Sequence, residues 1–135
     1  MSVAPWAAEE EISTQRARDL IAAQFPKLAA EPIEILGEGW DNAAFLVAKR
    51  YVFRFPRRAI AAPLIETEAR ILPRIAPALP AAIPLPIFFG RPQTGYAWRF
   101  SGYEMLPGRT ACSARLATDD RTRLATSIGT FLRAT

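Results

Sequence analysis

Histidine is absent from these 135 residues, and cysteine occurs once, at Cys112. The side chains that build ordinary zinc sites are therefore lacking, and no metal ligands are expected in the chain. A single cysteine also rules out an intrachain disulfide framework, so a reducing, cytoplasmic setting is expected. Long apolar runs are lacking as well. The longest, residues 75–89, is broken by Pro77, Pro80, Pro84 and Pro86 and is too short to span a bilayer. The first residues run into Glu9-Glu10-Glu11 rather than following the basic-then-apolar order of a signal peptide, so no membrane partner is expected. Lysine is scarce too: of 17 basic residues only Lys27 and Lys49 are lysines.

What is present suits a folded domain. Half of the residues are hydrophobic, which argues against disorder, and the length allows one domain with a modest core. The net charge of +4 suits phosphates or nucleic acid, but the arginines are scattered. That dispersion favours a solvated surface over nucleic-acid binding.

Along the chain, Ile12, Leu20, Ile21 and Phe25 share a helical face that Pro26 ends. Residues 31–36, 43–48 and 51–55 read as strands, separated by a glycine-bearing loop at 37–42 and a tight Lys49-Arg50 turn. Two short hairpins in succession imply an antiparallel sheet. Pro63 suits the first turn of a following helix, and Pro73 is expected to kink or end it near Leu72. A proline-rich connector then leads to strands at 85–89 and 96–103 around a turn at 91–95. Residues 109–117 read as a loop, and Asp119 and Asp120 open a last helix carrying Leu124, Ile128, Phe131 and Leu132 on one face. No internal repeat is visible.

Glu68 stands out. At helical spacing Leu64, Ile65, Ile71, Leu72 and Ile75 share a stripe with Glu68 at its centre, where an ionised group is costly unless paired. Arg54, which strand alternation turns away from Phe53 and Phe55, is the expected partner. Together they would hold phosphate oxygens, the carboxylate orienting the guanidinium fork; a structural ion pair is the plainer alternative. Gly37-Glu38-Gly39-Trp40-Asp41-Asn42 joins two strands, so its backbone can lie over phosphates without side-chain obstruction, and Asn42 is a residue that tolerates left-handed angles. Taken alone, it reads more readily as an ordinary hairpin turn. Glu66 lies off the apolar stripe as a solvated charge, and Trp6, Trp40 and Trp98 read as packing residues.

Strand, Gly-x-Gly, strand, followed by a strand cation and a helix carboxylate, is the order found in protein kinases. Through Gly37 to Asn42, Phe53-Arg54-Phe55-Pro56, Glu68-Ala69-Arg70-Ile71-Leu72 and Gly102-Tyr103-Glu104-Met105-Leu106-Pro107-Gly108, the chain resembles the amino-terminal lobe of aminoglycoside and macrolide phosphotransferases. The resemblance runs over residues 33–132. It implies an α+β fold: an antiparallel sheet of about five strands with a packed helix, a flanking amino-terminal helix and the start of a carboxy-terminal-lobe helix. Residues 1–108 would be the nucleotide-binding lobe with its hinge, and 109–135 a linker and the first helix of a truncated second lobe.

The resemblance further implies ATP or GTP as phosphoryl donor, magnesium, and a hydroxyl of a small molecule as acceptor. Arg54 matches the position of the phosphate-binding lysine, and Glu68 its helix partner. The Glu104 carbonyl and the Leu106 amide match the purine-binding backbone positions, with Tyr103 behind the base. Arginine in place of lysine is a departure from the family's pattern. The family's histidine-containing catalytic loop and its magnesium ligands have no counterpart here, so no catalytic residue is assigned and this chain alone is expected to be inactive. Two rival readings stay open: an interaction module that self-associates through the last helix, and a basic nucleic-acid-binding domain.

Overall fold

Alternation of large apolar and smaller side chains drives a five-stranded antiparallel sheet at the centre of the computed structural model, which describes residues 3–135. Its strands are β1 (Ile33–Glu38), β2 (Asn42–Val47), β3 (Tyr51–Pro56), β4 (Pro86–Gly90) and β5 (Phe100–Glu104), in the spatial order β1-β2-β3-β5-β4. The helices are α1 (Thr14–Gln24), α2 (Ala62–Ile75), the short α3 (Ala111–Ala114) and α4 (Thr118–Ala134). No helix among the described residues is long and apolar enough to cross a membrane.

Register gives the two sheet faces different chemistry. Phe45 lies opposite Phe53 and Ala43 opposite Phe55, so these side chains share a face with Val47 and Tyr51. On that face α1 lays Ala17, Leu20 and Ile21, closing a core rich in aromatic rings. Phe55 and Phe100 stack with centroids 4.7 Å apart, and Phe88 meets Phe25 edge-on at 5.2 Å. Glycine makes room for this layer: a Cβ at Gly102 would come within 2.8 Å of the Phe53 ring. The helix α1 begins where the Ser13 hydroxyl accepts the Arg16 N–H at 3.1 Å, and Pro26 follows its end.

The opposite face carries a second row. Gly37, Ala44, Arg54, Ser101 and Phe89 are successive cross-strand partners from β1 to β4. The helix α2 lies over this face.

Several boundaries differ from the sequence reading. Pro32 has no N–H to pair, and the first strand begins after it, at Ile33. The tight turn sits one residue earlier than expected, with Ala48 and Lys49 both left-handed (φ 57° and 54°). Left-handed angles at both central positions match the right-handed twist of the flanking strands. Pro73 does not end α2, which continues to Ile75 and passes into a 3₁₀ turn, because a proline within the last turn removes one bond only. Residues 109–117 contain α3, capped by Thr110, and β5 begins only at Phe100.

Tyr96 explains that late start. Its N–H and carbonyl both pair with Gln93, at 3.0 Å each, and its ring turns into the core. There its hydroxyl donates to the Pro56 carbonyl at 2.7 Å. Burial pushes this phenol well above its ordinary value of 10.0; Arg16 opposes the shift and Glu10 adds to it. A raised value means that the folded state holds the proton more tightly. The associated stability is therefore complete below about pH 10 and is lost as pH climbs toward the raised value. Melting temperature followed upward from about pH 9 should fall more steeply for the native chain than for Tyr96→Phe. At neutral pH that variant should be less stable by about 1 kcal/mol, since the Pro56 carbonyl loses its donor.

Candidate functional site

Arg54 leaves the middle of β3 on the face away from the aromatic layer, and its Nη1 donates to Glu68 Oε2 of α2 at 2.8 Å. The two side chains are 27% and 33% exposed, so the pair is shielded without being dry. Only one nitrogen of the fork is used in this bond, which leaves donors for an anion. Glu68 does not lie in a buried stripe: of α2 only Ile65 is buried, and Leu64 and Ile71 are exposed. The helix leans on the sheet over the short strands β4 and β5 and is open on its other side, so the burial expected for the stripe is not reached. The ion pair itself forms as expected.

Beside it, a cavity of about 220 Å³ is lined by Arg54, Glu68, Leu72, Pro86 and Tyr103, among others. Tyr103 is the cross-strand neighbour of Val52, next to Arg54 on the same face. Burial raises the Tyr103 phenol, with Arg54 opposing and Glu68 adding, so its hydroxyl stays protonated at neutral pH. Glu104 ends β5 opposite Tyr51, and its carboxylate pairs with Arg50 at 3.0 Å on the surface. The Met105 N–H donates to the Arg50 carbonyl, whereas the Leu106 N–H has no hydrogen-bond partner among the described residues. That amide is left free in a segment outside helix and strand.

The glycine flap closes as a tight hairpin, the Gly39 N–H donating to the Asn42 carbonyl at 2.8 Å. Gly37 shares the cross-strand row with Arg54, two strands away, or about 10 Å at the usual strand spacing. Neither flap glycine uses a left-handed angle, and a Cβ at Gly37 would meet nothing within 4 Å. The flap's contribution is open space above a bare backbone. Asn42 takes extended backbone as the first residue of β2, so its tolerance of left-handed angles is not used. The flap, Arg54, Glu68 and Tyr103 thus share one sheet face, while Glu104 and Leu106 lie at and beyond the end of β5. Among the described residues no three His, Cys, Asp or Glu side chains cluster closely enough to hold a metal ion.

Sequence reasoning missed Arg57 and Arg58, which grip the flap. The clue was their position directly after β3, with Asp41 available on the flap. Trp6 and Trp40, read as scattered packing residues, stack on each other at 6.2 Å with both rings exposed. Glu66 is exposed as expected but pairs with Arg99 at 3.1 Å.

A profile of the phosphotransferase enzyme family (APH) matches residues 32–135. The chain belongs to this phosphotransferase family. No curated protein sequence matches it. Solved phosphotransferase structures do. The GDP complex of wild-type aminoglycoside 2'-phosphotransferase-IIIa superposes with a TM-score of 0.81 at 28% identity, covering 91% of this chain and 42% of that one. A point mutant of the same enzyme, also with GDP, gives 0.81 at 29% identity, over 90% of this chain and 41% of that one. The GDP and kanamycin complex of APH(2'')-IIIa gives 0.77 at 30% identity, over 87% and 40%. The chain therefore spans 40–42% of the length of these phosphotransferases. Its α+β, kinase-like fold is the one these structures share.

A double-mutant cycle on Arg54 and Glu68 measures what the ion pair does for the fold. Glu68→Leu alone should lower urea stability by about 1 kcal/mol, because it leaves a shielded guanidinium unpaired. Arg54→Met with Glu68→Leu should recover most of that loss, as apolar replacement of a shielded pair usually does. A double variant as unstable as the sum of the single ones would show that the two side chains act independently.

Proposed function

We propose that this chain is the nucleotide-binding part of an ATP- or GTP-dependent phosphotransferase whose acceptor is a hydroxyl of a small molecule, such as an aminoglycoside. The observation that carries this reading is the 2.8 Å Arg54–Glu68 pair on the sheet face that also bears Gly37 and Tyr103. Arg54 binds phosphate oxygens through its free N–H groups, and Glu68 fixes the guanidinium plane. The Leu106 amide and Glu104 carbonyl meet the base, with Tyr103 behind it. The GDP bound in the similar structures supports the same reading. Bound magnesium would neutralise phosphate charge, with ligands from outside the described residues.

Two alternatives remain. Nucleic-acid binding is less well supported, because Arg16, Arg50, Arg54, Arg57, Arg58 and Arg99 all pair with carboxylates. An interaction module has one observation in its favour: α4 has no buried residue, and Leu124, Ile128 and Leu132 are exposed. Sedimentation as a strict monomer would exclude self-association through that helix.

Titration with GDP should raise the melting temperature of the chain, and Arg54→Ala should weaken binding by about tenfold or more, the cost of one charge-assisted phosphate contact. Unchanged affinity would remove Arg54 from the site. The 135 residues by themselves should transfer no radiolabelled phosphate from GTP or ATP to kanamycin, since the sequence holds no histidine-containing catalytic loop. Labelled kanamycin would refute that.

A further inference from the structure

Before α1 the chain runs as an irregular strap, turning at residues 4–7, past the outer end of the β1–β2 hairpin, and Arg57 joins the two. The Arg57 N–H donates to the Asp41 carbonyl at 2.7 Å, and its own carbonyl accepts from Glu9 and Glu10 at 2.9 and 3.0 Å. From its side chain, Nη1 donates to the Gly39 carbonyl at 2.9 Å, while Nη2 faces Glu11 at 3.5 Å and Glu38 at 3.8 Å. Arg58 repeats the pattern, reaching Asp41 Oδ1 and the Pro5 carbonyl at 2.9 Å each. At the tip, Trp6 stacks on Trp40.

A two-residue hairpin tip beside glycine has conformational freedom to lose when it orders over a ligand. Contacts that order it beforehand remove that cost from binding. The Arg57 side chain is only 13% exposed, so its hydrogen bonds are poorly replaced by water when they break. Both carbonyls flanking the tip, Gly39 and Asp41, are held by this one residue.

We propose that Arg57 is a positioning residue: together with the strap of residues 5–11 it holds the glycine flap in the shape that receives nucleotide phosphates. The inference rests on the nucleotide reading above. Arg57 acts through the flap backbone, and the strap makes nucleotide affinity depend on the amino-terminal segment.

Hydrogen exchange, read by mass spectrometry on flap peptides of the full 135-residue chain, separates this role from a general structural one. In Arg57→Ala, flap amides should exchange about tenfold faster, with α1 and β5 unchanged, and GDP affinity should fall by a similar factor. Arg57→Lys should fall between, because one ammonium cannot serve the Gly39 carbonyl and two carboxylates as a fork does. Should Arg57→Ala not fold, the exposed strap variants Trp6→Ala and Glu11→Gln carry the same test and should also speed flap exchange. Unchanged flap exchange in the folded variants overturns the proposal, and so does faster exchange with unaltered GDP affinity. A native chain that binds no GDP sinks the nucleotide reading instead, and the exchange rates then still decide whether Arg57 holds the flap.

Discussion

The ion pair between Arg54 and Glu68 sets the relation of helix to sheet on which the site depends. Apolar packing does little of that work, since Ile65 is the only buried residue of α2. The helix is registered on the sheet by two polar links, Arg54–Glu68 at 2.8 Å and Arg99–Glu66 at 3.1 Å, the second more exposed. An apolar contact tolerates sliding, whereas a hydrogen-bonded guanidinium and carboxylate specify one position.

The opposite face supplies rigidity. Interlocked rings of Phe25, Phe53, Phe55, Phe88 and Phe100, covered by α1, leave β3 little freedom, so Arg54 projects from a fixed base. The division follows from pleat geometry: alternate residues of one strand serve the aromatic core and the polar site. Gly102 belongs to both, since its missing Cβ admits the Phe53 ring while its chain continues directly into Tyr103 on the other face.

Around this frame the molecule spends its arginines on backbone. Arg16 reaches the Gly95 and Glu11 carbonyls, Arg18 that of Glu31, Arg57 that of Gly39 and Arg58 that of Pro5. A planar fork can serve a carbonyl and a carboxylate at once, which a lysine ammonium does less well. Such bonds tie irregular segments to the sheet where the chain has few apolar side chains to do it. The helix α4, by contrast, has no buried residue, and the aminoglycoside phosphotransferases that this chain resembles are more than twice as long.

Sequence alone determined the antiparallel sheet, the amphipathic first helix and the pairing of Arg54 with Glu68, because each follows from local periodicity or from the cost of an unpaired charge. It also carried the order of motifs by which the family is recognised. It did not reveal the departure of Tyr96 from strand geometry, the shallow burial of α2, or the grip of Arg57 and Arg58 on the flap. Tyr96 leaves the sheet to meet the Pro56 carbonyl, 40 residues away in sequence, and the strap meets the flap across a similar span. Periodicity reports which residues share a face of one element; which element lies against that face, and how deeply, is decided only when the whole chain closes on itself.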